Sequence, residues 1–310
     1  MKLGTRLSLG MAILLATAGA APADIGFPQP RIFPESISAT RSGDLYVSGA
    51  DDGTIWRARP GAPEAEMWLA PAQSGLVAMF GLYADEKART LWACGRPRRG
   101  DADDVRDRSS ALFAFDLATR APKGRWQMPG GAKDVCNDMA IARDGTVFIA
   151  ETAGGRILRL KPGANALDIW FADSRLAGID GIALDADGTL YVSTVTTSRA
   201  FRLPVDRTGL PGTLAELTPS RALDHPDGLR FVAPGRFLFG ENGEHGGISE
   251  ATVQGDALQV RMLEGSRPGT TSAIAYRGRA YGVVAKLKYR APDMAGQDPG
   301  PFAIYAVPLR

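Results

Sequence analysis

The chain has 310 residues, among them 37 Gly, 21 Pro, two Cys and two His, and 36 Lys and Arg against 34 Asp and Glu give a formal net charge of +2. Two of the basic residues, Lys2 and Arg6, belong to a leader, so the remainder is formally neutral with 34 of each sign. That balance leaves no basic field to gather phosphate backbones and excludes nucleic acid as a partner; the cluster Arg96-Pro97-Arg98-Arg99 runs straight into Gly100-Asp101 and reads as solvated loop, with residues 100–108 the most polar and mobile stretch.

In chain order, Lys2 and Arg6 come first, then an apolar run over residues 7–20, then Ala21-Pro22-Ala23 before Asp24. Basic, apolar and small-residue segments in that order form a secretory signal peptide. The run is shorter than the roughly 20 residues of a membrane span. We expect residues 1–23 to be cleaved, leaving residues 24–310 as one secreted or periplasmic domain with no membrane anchor, and a monomer by default.

A repeat with a period near 45 residues follows, and such a period marks stacked supersecondary units or propeller blades. Its units run from Pro34-Glu35-Ser36 to the turn Ser42-Gly43, from Asn137-Asp138 to Asp144-Gly145, from Asp180-Gly181 to Asp187-Gly188, and from Asp227-Gly228 to Pro234-Gly235. Two looser units start at Gly81, where Asp85-Glu86-Lys87-Ala88-Arg89 replaces the Gly turn, and at Thr271. The Gly turns between alternating apolar runs are hairpins. Third strands follow at Thr54-Ile55-Trp56-Arg57-Ala58, Ala111-Leu112-Phe113-Ala114-Phe115-Asp116, Arg156-Ile157-Leu158-Arg159-Leu160 and Ala200-Phe201-Arg202-Leu203, and Leu167-Asp168-Ile169-Trp170-Phe171 supplies a fourth. No sustained helical periodicity appears beyond the leader. The expectation is an all-β, six-bladed β-propeller with four-stranded blades around a central channel, closed by pairing the segment after Asp24 with the last blade. A seven-bladed propeller and a large β-sandwich are the alternatives.

Cys94 follows the strand Thr90-Leu91-Trp92-Ala93, and Cys136 precedes the first strand of the next unit. In a propeller those points share a face of neighbouring blades, so export predicts a disulfide; the alternative is two buried thiols packed as small hydrophobes.

The opposite end of each repeat carries the chemistry. Innermost strands of a propeller begin at one rim of the channel, so Glu35, Asn137, Asp180 and Asp227, which share a repeat position, converge. Three carboxylates and an amide oxygen in a low-dielectric channel repel one another, and a cation relieves that repulsion. Oxygen-only donors favour a hard ion, Ca2+ first.

These motifs, Pro-Glu-Ser at 34–36, Asn-Asp at 137–138, Asp-Gly-Ile-Ala at 180–183 and Pro-Asp-Gly-Leu at 226–229, each leading to a hairpin, together resemble the senescence marker protein, regucalcin and gluconolactonase family. The resemblance covers the whole chain after the leader and is weakest in the second and last units. It implies a six-bladed propeller with one catalytic divalent ion, Ca2+ or sometimes Zn2+, hydrolysing lactones or related esters. Glu35, Asp180 and Asp227 match the metal ligands, and Asn137 the position beside metal and substrate. Two positions depart from the pattern. Asp180 stands where the family commonly has Asn, and Val135 stands where sugar-lactone members carry Arg, which speaks against a polyhydroxylated sugar.

The expected chemistry is polarisation of the lactone or ester carbonyl by the ion, with Asp227 orienting and deprotonating the attacking water. Glu151, Thr152, Thr194, Thr196, Glu241 and Asn242, at the ends of second strands or just beyond them, are candidates to touch substrate, with the loop Gly243-Glu244-His245-Gly246-Gly247 as a cap. His225 and His245 match no zinc spacing, and a nucleophile elbow is absent. The competing readings are a non-catalytic periplasmic propeller with structural Ca2+ that binds a ligand or protein, and a lyase or isomerase on the same scaffold.

Overall fold

In the computed structural model, which describes residues 23–97 and 110–309, the Gly turns become inner hairpins as their conformational freedom dictates. The leader up to residue 22 and the polar loop at 100–108 lie outside the described residues. Gly43, Gly145, Gly188 and Gly235 take positive φ of 99°, 92°, 93° and 67°, which only Gly adopts freely. In the second unit, which lacks the Gly, Arg89 takes φ 51° instead.

Six antiparallel sheets result, each starting from an innermost strand: Pro34–Ala39, Leu76–Asp85, Cys136–Ile141, Ile179–Leu184, Pro226–Ala233 and Thr270–Tyr276. The six-bladed propeller is therefore the architecture, and the seven-bladed and sandwich alternatives fall away. Four-stranded blades are the rule; the fifth adds the short strand Thr218–Pro219, parallel to its outer strand Ala257–Met262. Closure follows the expected route, with Ile25–Gly26 pairing Ala303–Pro308 of the last blade. The described helices are one turn of α-helix at Pro71–Ser74 and three short 3-10 turns, and none is long and apolar enough to cross a membrane.

Apolar faces of adjacent blades pack on each other. Leu45, Val47 and Trp56 of the first blade meet Tyr281, Val283 and Ile304 of the last, each such side chain contributing about 1.5 to 3 kcal/mol when fully buried.

One feature of the innermost strands positions everything that follows. Every one carries a β-bulge, an extra residue relative to its partner strand, bracketed by Pro34 and Ile37, Met79 and Leu82, Cys136 and Met139, Ile179 and Ile182, Pro226 and Leu229, and Thr270 and Ser272. The bulged residues are those of the shared repeat position: Glu35, Gly81, Asn137, Asp180, Asp227 and Thr271. A bulge turns a side chain out of the regular in-and-out alternation. Gly81 offers no side chain because none fits: a Cβ there would lie 2.3 Å from the Asn137 carbonyl oxygen.

Cys94 and Cys136 are both fully buried and form a disulfide, with Cα atoms 5.1 Å apart. It joins the second strand of blade two, Thr90–Pro97, to the first residue of the innermost strand of blade three. With the cysteines 42 positions apart in sequence, the bond contributes about 3 to 4 kcal/mol through the unfolded state. Cys94→Ala/Cys136→Ala is expected to lower the urea midpoint accordingly, with a slope no smaller than before because the unfolded chain expands; equal midpoints would contradict this.

Candidate metal centre

Glu35, Asp180 and Asp227 enter the channel from blades one, four and five, 9%, 6% and 5% exposed. Burial first, then the charges of Asp180 and Asp138, raises the Glu35 carboxyl well above its ordinary range. Asp180 is pushed up to about 7, chiefly by burial. Burial, followed by the charges of Asp180 and Glu35, raises Asp227 well above the usual value. The three carboxyls thus sense one another across the axis, as their shared repeat position requires.

Neutral donors fill part of the gap between them. Asn137 Nδ2 donates to Asp180 Oδ2 at 2.8 Å and to Thr152 Oγ1 at 3.0 Å. Asn242 Nδ2 donates to Asp227 Oδ2 at 3.3 Å, and the Gly228 backbone N–H to Asp227 Oδ1 at 2.8 Å. Asp180 Oδ1, although buried, accepts from nothing.

Below the carboxylates lies a buried ion pair. Arg230, 4% exposed, donates Nη1 to Asp138 Oδ2 at 2.6 Å, and Nη2 to Ser36 Oγ at 2.9 Å and to the Leu82 carbonyl at 3.3 Å. The Ile182 backbone N–H adds a bond of 3.3 Å to Asp138 Oδ2. Blades one to five are tied at the axis through this pair. Asp138 Oδ1 and Arg230 Nε have no partner. Sequence reasoning stopped at Asn137 and Asp227, though the signal was present: Asp138 and Arg230 are charged residues inside innermost strands that otherwise read as apolar.

The cluster tests well against a divalent cation. Glu35, Asp138, Asp180 and Asp227 against Arg230 leave a formal −3, which such an ion would reduce to −1, and the donors on offer are oxygens, one of them an orphaned carboxylate oxygen. No three His, Cys, Asp or Glu side chains among the described residues are already gathered for a metal ion. Asp180 and Asp227 nevertheless lie close enough to share a hydrogen bond, which lowers the pKa of the first and raises that of the second.

The other expected contacts divide. Asn137 and Asn242 reach the carboxylates, but Glu151, Thr194 and Glu241 are fully buried and committed elsewhere. Glu151 accepts from the backbone N–H of Val135, Ala153 and Gly154 and from the Arg156 guanidinium. Glu241 accepts from Arg221, Ser249 and the Asp224 N–H. Thr194 shares a hydrogen bond of 2.6 Å with Thr197. These three side chains hold their own blades, because each finds donors within the blade before it reaches the channel. Thr196 donates to the Ala177 carbonyl. The loop expected as a cap is pinned, with the His245 N–H on Asp224 Oδ2 and the Gly269 N–H on the Gly243 carbonyl. His225 faces solvent beside Asp224, its Nδ1 3.0 Å from Oδ1.

Searches by sequence find no matching family model and no matching curated relative. Solved structures do match. A calcium-binding protein, regucalcin, from Agrobacterium tumefaciens C58 superposes with a TM-score of 0.65 at 17% identity over 94% of this chain and 96% of its own. A gluconolactonase from Xanthomonas campestris gives 0.63 at 17%, over 94% and 99%, and a streptogramin B lyase 0.62 at 11%, over 93% and 97%. Propellers carry binding, hydrolysis and elimination alike. What these likenesses establish is the six-bladed fold that the resemblance implied, with regucalcin and gluconolactonase among the structures that share it.

Proposed function

We propose that the chain is a divalent-cation-dependent hydrolase of a lactone or small ester, exported from the cell, with Glu35, Asp180 and Asp227 as the metal ligands. The observation that carries this is the placement of three bulge-mounted, buried carboxyls at one rim of the channel, each raised in pKa chiefly by burial, with Asp180 Oδ1 lacking a partner. Regucalcin and gluconolactonase among the fold's relatives support it, and the Cys94–Cys136 disulfide suits an oxidising compartment.

A bound cation, Ca2+ before Zn2+ for an oxygen-only donor set, supplies Lewis acidity toward the substrate carbonyl. Asp227 accepts the proton of the attacking water through the carboxylate oxygen that Asn242 now occupies. Asn137 spends both amide N–H groups, on Asp180 Oδ2 and Thr152 Oγ1, and so holds the Asp180 carboxylate in position. Arg230, paired with Asp138, keeps the floor of the cluster formally neutral. Overall, the water oxygen bonds to the carbonyl carbon, the acyl C–O bond breaks, and the leaving oxygen takes up a proton.

The test is turnover of a panel of γ- and δ-lactones, sugar lactones and aryl esters by the mature protein with Ca2+, with Zn2+ and with chelator. Turnover that chelator removes and Ca2+ restores is the expected result. No turnover anywhere, with Ca2+ still raising the melting temperature, would instead favour a binding propeller, and product formed without solvent oxygen would indicate a lyase or isomerase.

A further inference from the structure

Beside the carboxylates, on the face where Asn242 lies, opens a cavity of about 510 Å3 between the loop after Arg236–Glu241 and residues 284–299. Asn242 belongs to both places, lining the cavity and donating to Asp227 Oδ2. Val284, Leu287 and Tyr289 give the cavity an apolar wall, and Lys286 and Lys288 give it positive charge.

The wall is preorganised. Lys286 sits in the left-handed region, φ 51°, with Nζ donating to the carbonyls of Pro299 and Pro301, both at 2.8 Å. Arg31 donates to the carbonyls of Tyr289 and Gln297, and Arg290 to that of Ala50 in the first blade. Residues 286–301 are therefore fastened across the junction of the last and first blades, and the Arg290 charge is felt at Glu35. A rigid wall beside a reactive centre orients a ligand without the entropy of ordering it.

Its charges are not spent internally. The ammonium of Lys286 goes to neutral carbonyls, and Asp298, whose charge acts on it, has Oδ1 occupied by the Gly300 N–H. Lys288 is exposed, lies over the Tyr289 ring at 5.3 Å and makes no ion pair among the described residues. Glu244 is the acid that lines the cavity, and it too is exposed.

Resting on the hydrolase reading above, we infer that this cavity takes the tail of the substrate and that Lys288 recognises a carboxylate on it, so that the substrate class is an acidic lactone or the half-ester of a dicarboxylic acid. With two lysines against Glu244 in the cavity and the carboxylates at the metal centre, the electrostatics favour one orientation of such a molecule. Asp180 and Asp227 repel its carboxylate while the lysines attract it, which turns the neutral ester carbonyl toward the metal centre. Hydrolysis then yields an open-chain hydroxy acid with two carboxylates, or an alcohol and a diacid, with water as the other reactant.

The experiment compares kcat/KM for 5-oxotetrahydrofuran-2-carboxylate and for γ-valerolactone, in which a methyl replaces the carboxylate, using the mature Ca2+-loaded protein and its Lys288→Ala and Lys288→Arg variants. The expected preference for the carboxylated lactone is at least about tenfold, the worth of one charge-assisted hydrogen bond. Lys288→Ala removes it and Lys288→Arg retains it. Equal ratios in all three proteins would overturn the inference while leaving a lactone hydrolase standing. If neither lactone is turned over, the hydrolase reading is what fails, and calorimetric titration with 2-hydroxyglutarate decides the subsite. Binding that Lys288→Ala weakens about tenfold or more supports it; no binding, or equal affinities, refutes it.

Discussion

Asp227→Asn lowers kcat on the best lactone of the panel by about a thousandfold, within the range a positioned general base supplies, while Ca2+ binding weakens but survives. The split follows from what Asn keeps and loses. Its amide oxygen can still face the cation and accept from the Gly228 N–H, as Asp227 Oδ1 does at 2.8 Å. It cannot take a proton from water. Asp227→Ala removes the donor as well and should abolish both turnover and tight Ca2+ binding. Calorimetric Ca2+ affinity beside single-turnover kinetics separates the two effects. A variant that loses turnover and affinity in proportion would show Asp227 to be a ligand alone, and the water would then need another base.

Arg230→Met is the most damaging single change expected for the scaffold. It leaves the Asp138 carboxylate buried, with Oδ1 already lacking a partner, and withdraws the donors to Ser36 Oγ and the Leu82 carbonyl. Stranding one partner of a buried pair costs about 3 to 5 kcal/mol, a melting-temperature drop of roughly 10 °C for a domain of this size. Asp138→Leu on that background removes the stranded charge and should recover most of the loss. A double-mutant cycle by thermal denaturation measures the coupling; additive effects would show that the pair does not hold the axis.

The hairpins were legible because their information is local. Asp-Gly and Ser-Gly mark positive φ where the chain must turn, so blades could be counted even through the second, where Arg89 stands in for Gly. Sharing a repeat position was enough to bring Glu35, Asn137, Asp180 and Asp227 together, since six-fold repetition carries equivalent positions to one rim. The bulges that aim them were hidden, because a bulge is a count of one strand against its partner and neither strand shows it alone. Glu151 and Glu241 were misplaced for a related reason. Their positions at strand ends suggested the channel, but cross-strand neighbours claim them; Glu151 pairs directly opposite Arg156 in the hairpin, a relation that five residues of spacing could have disclosed. The wall at 286–301 depends on Arg31, some 250 residues away in sequence, and on Arg290 reaching Asp51. No local pattern announces it.

The central claim is that three carboxylates from three blades gather one divalent cation. The measurement that bears on it most directly is calorimetric titration of Ca2+ into chelator-treated mature protein, repeated with Glu35→Ala and Asp180→Ala. One ion per chain, with binding lost or strongly weakened in each variant at unchanged fold, is the predicted result. Absence of binding, or affinity indifferent to both substitutions, would contradict the account.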